Sequence, residues 1–160
     1  MATLDLLTFE VVNPLSPGAQ TCLAQYFKEL DNRLIDCFDS RENVLEESSE
    51  YCLPNGLFLV ANDSGRWVGC GALKRCTDES VYIKRMWVEK AWRGIGVGRR
   101  LLTLLESHAK NLGCNRVKLE TSHLLHEAMQ LYRSQGYLKT TPFAEETSCD
   151  YWMEKRLEDE

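Results

Sequence analysis

Between Arg93 and Arg100 the chain reads RGIGVGRR. Gly94, Gly96 and Gly98 alternate there, with cations on both sides, and these are the residue types that a diphosphate needs. Glycine accepts φ > 0 and lets a ligand approach the main chain closely. The residues that follow, Arg99 to Leu112, put Leu101, Leu102, Leu105, Ala109 and Leu112 at helical spacing, so the loop feeds a helix. The first turn of a helix carries N–H groups without intrahelical partners and the positive end of the helix dipole. Those donors suit phosphate oxygens. Arg93 and Arg99 are placed to add charge-assisted bonds.

Three kinds of phosphate loop compete for this segment. A Walker A loop ends in Gly-Lys-Ser/Thr, whereas Gly98 is followed here by Arg99 and Arg100. A dinucleotide fingerprint needs GxGxxG, and here the third glycine is misplaced. The third kind fits. Arg93-Gly94-Ile95-Gly96-Val97-Gly98 matches R/Q-x-x-G-x-G/A, and in this it resembles the GNAT acetyltransferases. Two further segments strengthen the resemblance. Arg85-Met86-Trp87-Val88 looks like the end of that family's fourth strand. Ala128, Leu131, Tyr132 and Gly136-Tyr137 look like its late A-x-x-L-Y-x-x-x-G-F/Y signature.

The resemblance implies a GNAT-like α/β domain, a mixed central sheet flanked by helices, over residues 1–160. It implies acetyl-CoA as co-substrate and no metal. The diphosphate would sit on the main chain of Gly94, Ile95, Gly96, Val97, Gly98 and Arg99, with Arg93 beside it. The pantetheine arm would pair with the backbone of Met86, Trp87 and Val88, and Tyr132 would lie near the thioester sulfur.

Amide formation needs a neutral amine, so a group must take a proton from it. The thioester oxygen then gains negative charge, which the N–H near Val88 is implied to meet. The departing thiolate needs a proton, and Tyr132 is the candidate acid, its other reading being a helix tyrosine packed on the co-substrate. Many relatives carry a glutamate two residues before a lysine-arginine pair; here that position is Tyr82, ahead of Lys84 and Arg85. The candidate bases are therefore Glu120 and His123, near the end of the next strand. His108 and His126 read as surface residues. Relatives with an asparagine three residues before the signature alanine differ from this chain, which has Leu125. Trp87, Trp92 and Tyr151 read as core aromatics, with an acceptor pocket as the other reading. Lys84 and Arg85 either hold an acidic acceptor or point to solvent, whereas the acidic run Glu42 to Glu50 would attract a cationic amine.

The elements that must position these groups follow from pattern. Strands are expected over Thr3 to Val12, Leu57 to Ala61, Trp67 to Leu73, Val81 to Val88, Arg116 to Glu120, Tyr137 to Thr141 and Tyr151 to Leu157. Asn62-Asp63-Ser64-Gly65 is a hairpin signal, and Gly69 and Gly71 suggest a bulge or close backbone packing. Helices are expected over Ala19 to Leu34, Arg99 to Leu112 and Leu124 to Ser134, with Gly113 and Gly136 as stops. Asp39 to Pro54 reads as solvated short helix and loop.

A chain of 160 residues, 44% hydrophobic and 27% charged, is a single globular domain by size and composition. The net charge of −5 argues against nucleic acid as a partner. The seven cysteines lack metal or disulfide spacing and read as reduced thiols in a cytoplasmic protein. No segment reads as a leader or a membrane span. The expected function is N-acetyl transfer from acetyl-CoA to a small-molecule amine or amino acid. A protein or peptide N-acetyltransferase and a non-catalytic CoA-binding sensor are the alternatives, and a homodimer is left open.

Overall fold

The computed structural model describes residues 2–33, 49–76, 78–141 and 151–158. The described strands are β1 (Thr8–Val12), β2 (Gly56–Asp63), β3 (Arg66–Arg75), β4 (Ser80–Val88), β5 (Arg116–Thr121), β6 (Leu138–Lys139) and β7 (Tyr151–Arg156). They form one sheet in the order β1-β2-β3-β4-β5-β7-β6. The described α-helices are α1 (Pro17–Arg33), α2 (Val97–Asn111) and α3 (His126–Ser134), and short 3₁₀ turns lie at Leu4–Leu6, Ser49–Tyr51 and Lys90–Trp92.

Every pairing in the sheet is antiparallel except that of β4 with β5. The parallel ladder runs only from Ser80↔Arg116 to Tyr82↔Lys118. Beyond Tyr82 the two strands part, so Ile83 to Val88 and Leu119 to Thr121 face each other across a gap. The bulge suggested by Gly71 lies in the β3–β4 ladder, where Cys70 pairs with Trp87 but Ala72 pairs with Lys84. Two residues of β4, Arg85 and Met86, thus oppose the single Gly71. At the β2–β3 turn, Ser64 (φ 52°) and Gly65 (φ 100°) both have positive φ, the hairpin geometry that matches strand twist.

The two faces of the sheet carry separate cores. Leu101, Leu102, Leu105 and Ala109 of α2 pack with Leu57, Leu59, Leu73, Val81, Val117 and Leu119 on one face, where Tyr132 of α3 also lies. Ala19, Cys22, Leu23, Phe27 and Leu30 of α1 pack with Phe58, Val60, Cys70 and Ala72 on the other. Strand alternation sorts the remaining β4 and β5 side chains. Val81 and Ile83 lie in the α2 core, which puts Tyr82 and Lys84 on the α1 face. The bulge then keeps Arg85 on the α1 face instead of returning it to the α2 side. Leu119 lies in the α2 core, so Glu120 faces α1.

Three expected boundaries move, each for a local reason. The opening segment begins with a 3₁₀ turn at Leu4–Leu6, where Leu6 N donates to Thr3 O and Leu7 N to Leu4 O, each at 3.1 Å. Helix α3 starts at His126 because Ser122 Oγ takes the Leu124 N–H at 3.1 Å in a turn. Leu125 occupies its N-cap without a capping side chain. The strand expected from Tyr137 shrinks to Leu138–Lys139, because Tyr137 serves the end of α3. Its N–H bonds Tyr132 O at 3.0 Å while Gly136, at φ 93°, donates to Arg133 O at 3.1 Å. This is a Schellman closure, and it requires a residue tolerant of the left-handed region at position 136.

The acidic stretch Glu42 to Glu47, with Cys37 and Cys149, lies outside the described residues. Glu50 is described and pairs with Lys74 at 2.6 Å. Cys22, Cys52, Cys70, Cys76 and Cys114 are free thiols. Among the described residues no helix is long and apolar enough to cross a membrane.

Leu105 is fully buried beneath the strands that border the gap. Leu105→Ala should therefore lower the unfolding free energy by about 3 kcal/mol, through lost burial and a residual cavity. Chemical denaturation measures it.

Candidate active site

The gap between β4 and β5 opens into a cleft of about 760 Å³. Gly96 caps α2 at φ 100° with no side-chain cap bond. Arg100 N donates to Gly96 O at 2.9 Å, the first intrahelical bond. The N–H groups of Val97, Gly98 and Arg99 precede that bond and have no intrahelical partner. Gly94 also has positive φ, 82°. The loop thus presents a row of main-chain donors at the positive end of a 15-residue helix. This donor set fits a diphosphate without a metal ion, and the described residues contain no group of three or more His, Cys, Asp or Glu that could hold one.

The cleft wall includes Met86, Trp87 and Val88 of β4, the whole run Arg93 to Arg99, Glu120 of β5 and Tyr132 of α3. The residues expected at the glycine loop and the end of β4, with Glu120 and Tyr132, therefore line one cavity, and His123 does not. Glu89 N donates to Val68 O at 2.8 Å, toward β3. By alternation the Val88 amide turns the other way, into the gap. Its carbonyl accepts Arg93 Nε at 2.8 Å.

That bond revises the expectation for Arg93. Its guanidinium also forms an ion pair with Glu29 of α1. Arg93 thus ties the loop to the end of β4 and to α1, and its charge is already matched by protein groups.

Tyr132 is 6% exposed, and its ring lies 5.8 Å from that of Tyr137. The Schellman closure sets this ring pair and so fixes the direction of Tyr132. Tyr137 is itself anchored by donating to Glu106 Oε2 at 2.7 Å, and Lys155 Nζ lies 3.0 Å from Glu106 Oε1. Burial, followed by the Glu106 charge, drives the Tyr137 phenol far above its usual range.

The candidate bases separate. Glu120 lines the cleft, and its Oε2 is buried without a hydrogen-bond partner among the described residues. A buried polar atom without a partner is costly and marks a place where a ligand or ordered water belongs. His123 is exposed and absent from the cleft wall. Tyr82 is raised to about 12, first by burial and then by the Glu120 charge. It keeps its proton through the neutral range and cannot take the amine's.

The remaining cationic and aromatic side chains divide between their expected settings. Arg85 is buried, 3% exposed, so the solvent reading fails for it. Sequence offered no signal for this, because burial follows from the bulge. Trp92 is core at 7% exposure and also touches the cleft. Tyr151 is half-buried beneath Arg133, whose Nη2 donates to its hydroxyl at 3.0 Å. From α1, Tyr26, Glu29 and Leu30 join the wall, contacts that helical periodicity alone did not mark as functional.

Comparison with known proteins agrees with this geometry. The family model described as "Acetyltransferase (GNAT) family" matches residues 27–137. The chain belongs to the GNAT acetyltransferases. It is 37% identical over 125 residues to an IAA acetyltransferase from Azospirillum brasilense, covering 78% of this chain and 82% of that one. It spans 41–59% of the length of other curated relatives, among them a probable N-acetyltransferase 14 from Xenopus tropicalis. An acetyltransferase from Streptococcus agalactiae shares the fold at TM-score 0.80 and 18% identity, over 96% of this chain and 100% of that one. YncA from Salmonella typhimurium, solved with acetyl-CoA, shares it at TM-score 0.70 and 18% identity, over 97% and 96%. This GNAT acetyltransferase uses acetyl-CoA as donor.

Gly96→Asp should weaken CoA binding at least about tenfold, since it sets a carboxylate against the diphosphate and strains a left-handed cap. Calorimetry on variant protein with a native far-ultraviolet spectrum decides it. Unchanged affinity would remove the loop from the site.

Proposed function

We propose that this GNAT acetyltransferase transfers the acetyl group of acetyl-CoA to the amine of a small molecule or amino acid, with Glu120 as base and Tyr132 as acid. The observation that carries the reading is the buried, unpartnered Glu120 Oε2 on the wall of the cleft that also holds the glycine loop and Tyr132.

The division of faces supports these roles. The loop, α2 and Tyr132 belong to one side of the sheet; Glu120, Tyr82 and α1 belong to the other. The β4–β5 gap connects them, so donor and acceptor can enter from opposite sides and meet there. The loop amides of Val97, Gly98 and Arg99 hold the diphosphate. Glu120, directly or through one water, takes the proton that frees the amine lone pair. The Val88 N–H, fixed in the strand, meets the negative charge that grows on the thioester oxygen. Tyr132 donates its proton to the departing thiolate, and the buried ring pair holds it for that purpose. With Glu120 as base and Tyr132 as acid, the Tyr82 substitution does not by itself require a non-catalytic sensor.

Glu120→Gln should lower kcat by about 100-fold or more, with CoA affinity retained. Tyr132→Phe should lower kcat more than it alters CoA affinity. Acceptor-dependent release of free thiol from acetyl-CoA measures both, and unaffected turnover in either variant removes that residue from the chemistry. Tyr82→Phe should leave the pH–rate profile between about pH 6 and 9 unchanged, because a phenol raised to about 12 does not titrate there. A displaced limb would show that Tyr82 takes part in proton transfer.

A further inference from the structure

We infer that the acceptor of this enzyme is an amine carried on an apolar, ring-bearing body, an arylalkylamine, and that Tyr26, Trp87 and Leu125 form the surface that selects it. This rests on the transferase reading above and names the substrate class of the same cleft.

Packing assigns the apolar side chains of the cleft wall to one side of the sheet or the other. Met86, Val88, Ala128 and Leu131 pack against the α2-side core, to which Val97 and Tyr132 belong. Tyr26, Trp87 and Leu125 pack against the α1-side core, and Leu30 is part of it. Among the described residues, the acceptor half of the cleft is thus walled by two aromatic rings and two leucines, drawn from α1, β4 and the start of α3. Tyr26, Trp87 and Leu125 are only half-buried. Each keeps uncovered apolar surface on a cavity wall, where a ligand gains by removing it from water.

Leu125 is the telling residue. It occupies the N-cap of α3 and makes no side-chain cap bond. Ser, Thr, Asn or Asp there would satisfy a first-turn N–H and stabilise the helix. Leucine forgoes that gain and instead places an alkyl side chain on the cleft wall. A local rule broken without a gain to its own element is a mark of a functional position.

The polar groups of this half agree. Glu120 faces α1 with a buried oxygen lacking a hydrogen-bond partner. Glu29 is matched by Arg93. The β4 cations are engaged by rings: Arg85 Cζ lies 5.1 Å from the Phe27 centroid, 5.8 Å from Tyr26 and 5.9 Å from Tyr51, and Lys84 Nζ lies 5.7 Å from Tyr82. One carboxylate for an amine and an apolar wall for the remainder is the usual division of a small-molecule site, in which a polar group orients and the apolar lining binds. A short polar amine would meet Glu120 but leave the rings and leucines wet.

The test uses the full chain, acetyl-CoA and three acceptors, phenethylamine, ethanolamine and phenylalanine, read as thiol release. The first two carry primary amines of similar basicity, so amine reactivity does not separate them; the third keeps the ring and adds an acid. Phenethylamine should exceed ethanolamine about 10- to 100-fold in kcat/KM, the range expected for burying one ring. Leu125→Asn supplies a capping side chain, which supports α3, while it replaces an alkyl wall with an amide. It should reduce that ratio at least about threefold, chiefly through KM for phenethylamine. Trp87→Ala, which retains the β4 main chain, should reduce it further. Should neither variant fold, the wild-type ratio decides alone. Ethanolamine turned over as well as phenethylamine, phenylalanine turned over better than phenethylamine, or an unaltered ratio in the folded variants overturns the apolar assignment and leaves the transferase reading standing. No thiol release with any acceptor, while CoA still binds, overturns that reading and this inference with it.

Discussion

The parting of β4 and β5 after Tyr82 is the constraint on which the rest of this molecule depends. Two parallel strands that stayed paired would consume the Val88 amide in the ladder and seal the sheet. Because the ladder stops, one strand end keeps an inward-facing N–H and the other keeps Glu120, with a passage between them. The bulge opposite Gly71 reinforces the separation by bending β4. It also changes which face Arg85 occupies. One irregularity of the sheet thus makes the passage and re-aims a cation beside it.

The helix that follows supplies the second requirement. Its buried leucine stripe fixes α2 against the strands, so the helix start is held at the mouth of the gap. The glycine cap then exposes main-chain donors that no side chain could present so closely. Arg93 links this loop to the Val88 carbonyl and, through Glu29, to α1. The glycine loop and helix α1 are therefore mechanically joined by one guanidinium. An ion pair this exposed contributes little to stability, and its value lies in position.

The proposed catalytic groups are set by neighbours assigned no chemistry. Tyr132 is aimed by the closure of α3 at Gly136 and by its contact with Tyr137, which is pinned in turn by Glu106. Glu120 is presented by simple alternation along β5, with Leu119 anchoring the opposite face. Small backbone features, a cap and a register, thus decide where both side chains sit.

The sequence by itself determined the glycine loop, the helix behind it, the late tyrosine signature and the family, because each is a local pattern that survives without neighbours. Glycine spacing and a leucine stripe mean the same thing wherever the chain puts them. Glu120 and His123 could not be separated by spacing, since both lie near the end of the same strand. Only the register of β5 and the turn after it buried one carboxylate oxygen and left the histidine exposed. Arg85 was equally illegible: beside Lys84 it looked like a surface cation, and a one-residue bulge turned it inward among rings from α1 and the segment before β2. Arg93 matched the phosphate motif in sequence, yet its ion-pair partner, Glu29, came from a helix far away in the chain. Tertiary structure decided these points because each depends on which face a side chain occupies, and a strand's faces are set by pairing with distant residues.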